Sequence, residues 1–266
     1  MPFLAPERLP YCGAPPTQTE LWSRWNLDPI LISTLVAALV LYLSLVRRGR
    51  LETDRGRFGA FIAGWSVLAL TLVSPLCALS VALFSARVGE DLVSTLLAAP
   101  LIVYGLTARL RRATRAGDVL AAGLTFVAAM GVWHAPGVYE LTFTSTPIYW
   151  AMRLTLIGAA LWLWSELIAA DAHHALAACG DALVVMLAMS LMGALISFAP
   201  GLLFASHAYT TYAWGLSPIA DQQLGGAMMG VVSDLVFLGA VIWLIWRAFA
   251  GWRARLSAPD AAHAAR

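Results

Sequence analysis

Five ionisable residues stand in strongly apolar stretches of the sequence: Arg87, Glu90, Asp91, Arg153 and Asp234. The apolar runs predict positions at or inside a bilayer, where an ionisable side chain needs a partner and marks a functional site by default. Arg87 and Asp91 share one face if their segment is helical, although a solvated loop with ordinary charges is the alternative. Arg153 lies roughly 8 Å inside its run and either reaches the interface or pairs with a carboxylate. Asp234, near mid-bilayer, is expected to be protonated or paired.

Two further motifs lie near predicted helix ends. In Trp133-His134-Ala135-Pro136, the proline ends or bends a helix just after His134, which is either a hydrogen-bonded interfacial residue or a metal ligand. In Asp221-Gln222-Gln223-Leu224-Gly225-Gly226, the aspartate is predicted to cap the last helix against its dipole. The two glycines permit close backbone approach.

The three cysteines share no motif spacing. Cys77 lies in an apolar run, where packing as a small hydrophobic residue is its expected role. Cys12 lies in the polar N-terminal stretch and is expected to be a lone extracytoplasmic thiol. A Cys-x-x-Cys pair, which would indicate redox or copper chemistry, does not occur in the sequence.

The composition is that of a membrane protein. Hydrophobic residues make up 60% and charged residues 12% of the chain, whose mean hydropathy is +0.76. A soluble domain carries roughly twice this charged fraction. Apolar runs of about 20 residues predict an all-α membrane protein with a seven-helix bundle. The predicted spans are 29–46, 58–84, 92–110, 119–133, 148–168, 182–204 and 225–250.

The distribution of arginine predicts the orientation of this bundle. The first and third connections and the C-terminal stretch are rich in arginine, whereas the second, fourth and sixth connections carry only Arg87. Because positively charged connections stay cytoplasmic, the N-terminus is predicted outside and the C-terminus inside. Three regions follow: an extracytoplasmic tail at 1–28, the membrane domain at 29–250 and a disordered cytoplasmic tail at 251–266.

Six short motifs follow one another along the chain: Tyr11-Cys12-Gly13, Trp25-Asn26-Leu27-Asp28-Pro29, Ser74-Pro75-Leu76, Ala98-Ala99-Pro100-Leu101, Trp133-His134-Ala135-Pro136 and the run from Asp221 to Gly226 that includes Gln222 and Gly225. In order and spacing they resemble the seven-span CtaG-type cytochrome c oxidase assembly factors of bacteria. The resemblance implies help in delivering copper to the binuclear centre of haem–copper oxidases. It also implies a place in the respiratory chain of the plasma membrane, with oxidase subunits or other assembly factors as partners besides the lipid bilayer.

The sequence departs from this family where the family carries histidines. After Phe84-Ser85 the family pattern has His-x-x-x-His, and this chain has Arg87 and Asp91. In the fifth span the family tends to have a second such pair, and this chain has Tyr149 and Arg153. Arginine cannot ligate a metal, because its guanidinium offers no lone pair.

Only His134 remains of the expected outer-face histidines, and one imidazole with carboxylates makes a weak copper site. We therefore expect that copper is not tightly bound and that no other cofactor is held. An ion-pair cluster is expected in its place, formed by Arg87, Asp91 and Arg153, with Glu90 or Asp234 completing the charge balance.

Three functions remain open from the sequence. The first is oxidase assembly, and the second is a non-catalytic accessory subunit that docks on an oxidase or another respiratory complex. The third is a proton or small-molecule transporter, which no internal repeat or broken helix pair supports. An enzyme is not expected, since no catalytic pair, phosphate loop or cofactor fingerprint occurs. The net charge of +2 gives no indication of nucleic-acid binding, and no such partner is expected.

Overall fold

The computed structural model describes residues 9–51, 53–110, 116–172 and 174–257, and these ranges are helical, with no strand. A π-helical segment, Val93–Ala98, links two of the helices, and short 3₁₀ turns occur at Leu21–Ser23, Ala205–His207 and Thr211–Trp214. In chain order the α-helices are α1 (Pro29–Arg47), α2 (Arg55–Val73), α3 (Leu76–Ala82), α4 (Phe84–Leu92), α5 (Ala99–Leu110), α6 (Ala116–Trp133), α7 (Pro136–Thr144), α8 (Thr146–Ala169), α9 (Ala175–Ser197) and α10 (Pro218–Ser257).

Within the described ranges, six helical segments are long and apolar enough to cross a membrane, and a bent pair raises the number to as many as seven. The bent pair is α6 and α7, which meet at 71°. Pro136 begins α7 and disfavours helical backbone at Ala135, which is extended. An all-helical, multi-pass membrane architecture is therefore confirmed.

The predicted second span, 58–84, is wrong beyond Val73. Ser74 is extended because it precedes Pro75, so α2 ends there and the short helix α3 follows. The next membrane helix begins at Phe84 and continues through the π-helical segment into α5. The charged residues that follow Phe84 therefore belong to the start of this third helix and not to the outer end of the second.

Two further predicted boundaries need correction. The sixth predicted span, 182–204, is α9, which begins at Ala175 and ends at Ser197. The last predicted span, 225–250, is the longer helix α10. Residues 251–257 continue α10, so the predicted disordered tail is wrong over that stretch, and residues 258–266 lie outside the described ranges.

Small residues allow α9 and α10 to pack closely along their length. A Cβ atom added at Gly193 would lie 2.5 Å from the carbonyl oxygen of Gly226, and one added at Gly226 would lie 2.8 Å from the backbone nitrogen of Ser197. Backbones approach this closely only where side chains are absent, a frequent arrangement between membrane helices. This contact holds α10 against α9.

The N-terminal segment 9–28 is attached to the bundle by a disulfide between Cys12 and Cys77, whose Cα atoms are 5.5 Å apart. The Tyr11 ring also stacks on Tyr149 with a centroid distance of 4.8 Å, and the Trp214 indole donates to the Pro16 carbonyl. The expectations of a lone thiol at Cys12 and of a packing role for Cys77 are wrong. Sixty-five residues separate the two cysteines, and this spacing carries no pairing signal.

Candidate functional site: a buried ion-pair cluster

The structure brings Glu90 and Asp91 of α4 together with Arg153 of α8. Nη2 of Arg153 donates to Oε2 of Glu90, and its Nη1 donates to Oδ1 of Asp91. Each of these side chains is at most 2% exposed. One guanidinium therefore serves two buried carboxylates, using the forked donor geometry that distinguishes arginine from lysine.

The position of α4 is fixed by Asp221, which caps α4 and not its own helix α10. Its Oδ2 accepts from the backbone N–H of Phe84 at 2.6 Å, and its Oδ1 accepts from the N–H of Ser85 at 3.2 Å and from the Ser85 hydroxyl. The prediction of a cap on the last helix is therefore wrong about which helix is capped. The carboxylate still faces a helix N-terminus, where the dipole favours a negative charge.

The other residues of the two sequence motifs also hold the backbone around the cluster. Gln222 accepts from the N–H of Leu203 at 2.7 Å and donates to the carbonyls of Ile196 and Gly201. Gly225 lies against the Phe84 ring, which a Cβ atom would approach to 2.5 Å. The Trp133 indole donates to the Thr155 hydroxyl at 2.8 Å, which ties α6 to α8.

Arg87 is buried at the cluster, but among the described residues it forms no ion pair within 4.0 Å. Its guanidinium lies 5.1 Å from the ring centroid of Phe143 and 5.3 Å from that of Tyr149. The predicted ion pair between Arg87 and Asp91 is wrong, because Arg153 pairs with the Asp91 carboxylate instead. Arg87 packs against aromatic rings, which is a favourable arrangement for a cation. Its Nε and Nη1 atoms have no hydrogen-bond partner within the described part of the chain.

His134 completes the edge of the cluster. Its Nδ1 lies 2.9 Å from the Met130 carbonyl oxygen, and its Nε2 lies 3.7 Å from Oδ2 of Asp91. No group of three or more His, Cys, Asp or Glu side chains in the described ranges is arranged to hold a metal ion.

The residues at this site do not fit a copper ion. The two carboxylates are already bonded to Arg153, and the guanidinium of Arg87 adds a second positive charge that would repel a cation. His134 is left as one imidazole beside a carboxylate, which is a poor donor set for copper.

Sequence reasoning missed two residues that line the same region. The Tyr139 hydroxyl lies 2.6 Å from Nε2 of His207, which is in the connection between α9 and α10. Burial, together with the nearby Arg87 guanidinium, lowers the pKa of His207 to about 3, so this imidazole is neutral and shares a hydrogen bond with the Tyr139 hydroxyl. The only sequence signal was a histidine in an aromatic-rich connection.

Tyr149 connects the cluster to the disulfide, a role that its sequence position did not indicate. Its hydroxyl accepts from Nε of Arg153 at 3.2 Å and lies 3.6 Å from Sγ of Cys12 and 3.8 Å from Sγ of Cys77. The Tyr149 side chain therefore lies between the disulfide and Arg153. The N-terminal segment, which carries Cys12, forms part of the site.

Asp234, predicted as a member of the cluster, lies elsewhere. Its Oδ1 accepts from the Ser190 hydroxyl at 2.5 Å, across the interface between α9 and α10. The helical rise puts it about 20 Å along α10 from Asp221, too far to balance charge at the start of α4.

Comparison with known proteins gives one match. The model of a family described as cytochrome c oxidase caa3 assembly factor (Caa3_CtaG) matches residues 40–250. No match was found to a curated protein or to a solved structure.

Proposed function

The chain belongs to the cytochrome c oxidase caa3 assembly factor family, and from this premise we propose that it assists the assembly of a haem–copper oxidase without holding copper itself. It acts as a non-catalytic protein whose partners are oxidase subunits or other assembly factors. Copper delivery, where it occurs, passes through such a partner.

One observation carries the proposal: Arg153 and Asp91, which stand at positions where the family pattern expects histidines, are bonded to each other, and Arg153 also binds Glu90. With Arg87 included, two arginines balance the two carboxylates of the cluster. The cluster therefore needs no metal cation to neutralise its charge. Removing one member of such a buried pair costs roughly 3–5 kcal/mol, which makes the cluster a structural element that holds α4 against α8.

The orientation proposed for the protein has two supports. A disulfide is stable in an oxidising compartment outside the cytoplasm, and Cys12–Cys77 ties the N-terminal segment to the bundle. The arginine-rich first connection lies at the other end of α1, which agrees with a cytoplasmic location. The ion-pair cluster then faces the outer half of the bacterial plasma membrane, with the C-terminus in the cytoplasm.

A second candidate is a stable accessory subunit that keeps the fold of the family and docks on a respiratory complex. The same charge-balanced cluster is compatible with it, because neither role needs a bound metal. Both carboxylates of the cluster are bonded to Arg153, which disfavours the transporter alternative, although α6 and α7 do form the bent helix pair that the sequence did not indicate.

The experiment is affinity purification in mild detergent from cells that are actively making oxidase, combined with haem spectra of a deletion strain. The assembly role predicts less assembled oxidase in the deletion strain and recovery of immature oxidase subunits with the protein. Recovery with fully assembled, active oxidase at constant stoichiometry selects the accessory subunit. Normal oxidase levels and no oxidase subunit recovered would overturn both.

A further inference from the structure

A second intramembrane carboxylate lies on the outside of the bundle, in a groove between α9 and α10. The groove has a volume of about 520 Å³ and is lined mainly by small or polar residues, among them Ser190, Gly193, Ser197, Gly226, Gly230 and Asp234. The same two helices carry large apolar side chains that are more than half exposed, including Leu191, Leu195, Val231 and Leu235. Such a surface faces lipid or another membrane helix.

The depth of Asp234 makes its environment demanding. It lies 16 residues after the start and 19 residues before the end of the apolar segment Pro218–Arg253, so it is close to the midpoint of that segment and to the middle of the hydrocarbon core. The side chain is only partly buried. Among the described residues, Asp234 accepts one hydrogen bond, from the Ser190 hydroxyl, and takes part in no ion pair. A carboxylate accepts about four hydrogen bonds, so most of its capacity faces the groove.

From these features we infer that the groove binds a transmembrane helix of a partner protein that carries an arginine or lysine at mid-bilayer depth, opposite Asp234. A basic side chain would satisfy the carboxylate where neither lipid tails nor water can. The shape of the groove suits a helix, because a Cβ atom added at Gly230 meets no atom closer than 3.7 Å and leaves room for an approaching backbone.

A second copy of this chain does not supply the complementary charge. Two copies joined through the same groove would bring Asp234 against Asp234, since a twofold contact pairs a patch with itself. The basic residues at membrane depth, Arg87 and Arg153, are each 1% exposed and cannot reach a neighbour. A lipid headgroup is excluded by depth. The occupant is therefore a different protein, and the inference stands whether or not that protein is an oxidase subunit.

The test uses the full-length protein in phospholipid vesicles and synthetic single-span peptides labelled for energy transfer. The peptides have a leucine-rich core and differ only at the central residue, which is arginine, leucine or glutamate. We expect the arginine peptide to bind at least tenfold more tightly than the leucine peptide, and the glutamate peptide to bind no better than leucine. Asp234→Asn should abolish the preference for arginine, and Asp234→Glu should retain it.

A steric variant separates binding in the groove from folding. Gly230→Leu fills the groove and should weaken the arginine peptide at least tenfold. Gly239→Leu is the matched control, because Gly239 lies on the same helix with no atom within 4 Å of its added Cβ, outside the groove. Equal binding of the arginine and leucine peptides, or an unchanged preference in both Asp234→Asn and Gly230→Leu, would overturn the inference. The inference would also be overturned if the protein associates with itself and Asp234→Asn or Gly230→Leu weakens that association.

Discussion

Two regions of this membrane protein contain carboxylates at bilayer depth, and these carboxylates differ in burial and in the charge of their partners. At the cluster, Glu90 and Asp91 are enclosed and bonded to Arg153, which comes from a helix distant in sequence. At the groove, Asp234 is partly exposed, and its hydrogen bond comes from an uncharged hydroxyl. The difference indicates that the first region maintains the fold, whereas the second is available to a partner.

This difference shows that an intramembrane charge has no fixed meaning by itself. The desolvation cost is large in both places, and what differs is where the compensating charge lies. A compensating charge inside the chain makes the residue structural. A compensating charge outside the chain makes it a contact residue. Mutations should therefore affect unfolding at the cluster and association at the groove.

The largest effect is expected from Arg153→Leu. Two buried carboxylates would lose their common partner, and the free energy of unfolding should fall by about 3–5 kcal/mol. Each double variant, Arg153→Leu with Glu90→Gln or Arg153→Leu with Asp91→Asn, removes one charge of each sign, leaves the other carboxylate to balance Arg87, and should recover part of the loss. Unfolding in mixed micelles measures both. If the losses simply add from one variant to the next, the three residues are not coupled and the cluster is not the element described above.

Loss of the disulfide should have the next largest effect on the same region. Cys77→Ser opens the link to the N-terminal segment, and the free energy of unfolding should fall by about 2–4 kcal/mol. Cys179→Ser is the control, since Cys179 is buried as a free thiol and forms no disulfide. A reductant should destabilise the unmodified protein and leave Cys77→Ser unchanged. If the reductant destabilises both proteins equally, the effect does not come from this disulfide.

A smaller loss is expected from removing the cap on the charged helix. Asp221→Ala leaves two backbone donors at the start of α4 without their acceptor and should cost about 1–2 kcal/mol. Asp54 caps α2 at an exposed position and accepts from the N–H of Arg57, so Asp54→Ala is the matched comparison. Because water replaces the lost acceptor there, its cost should be smaller. Equal thermal shifts for the two variants would mean that burial of the Asp221 cap does not matter.

Asp234→Asn should change stability least of all. Its carboxylate forms no ion pair with the described residues, so the free energy of unfolding should shift by no more than about 0.5 kcal/mol in either direction. The same unfolding assay that measures Arg153→Leu gives the comparison directly. A loss as large as that of Arg153→Leu would show that Asp234 belongs to the internal framework, and the contrast between the two regions would be lost.

The features that could be predicted from the sequence are those set by the cost of placing a charge in an apolar run and by the local pattern of apolar residues. Arg153 stands inside an apolar run, so it was expected either to reach the interface or to pair with a carboxylate, and the cost of an unpaired charge favoured the pair. The all-helical membrane fold followed from the length of the apolar runs. The break at Ser74-Pro75 was missed, since the surrounding run stays apolar and hydropathy does not register a change of direction.

The contacts that escaped prediction are long-range. Asp221 caps a helix that begins 137 residues earlier, and Cys12 pairs with a cysteine 65 residues later. Spacing along the chain does not encode such pairs, because they depend on how the helices are arranged in the bundle. Arg87 was placed with Asp91 from helical spacing alone, and the competing donor on α8 could not be seen from that spacing.

The central claim, that an ion-pair cluster stands where the family pattern expects metal ligands, is tested most directly by the copper content of the purified protein. The protein should be loaded with excess copper, desalted and analysed by mass spectrometry of the metal, alongside His134→Ala. We predict far less than one copper per chain and no difference between the two proteins. One tightly held copper per chain that is lost in His134→Ala would contradict the claim.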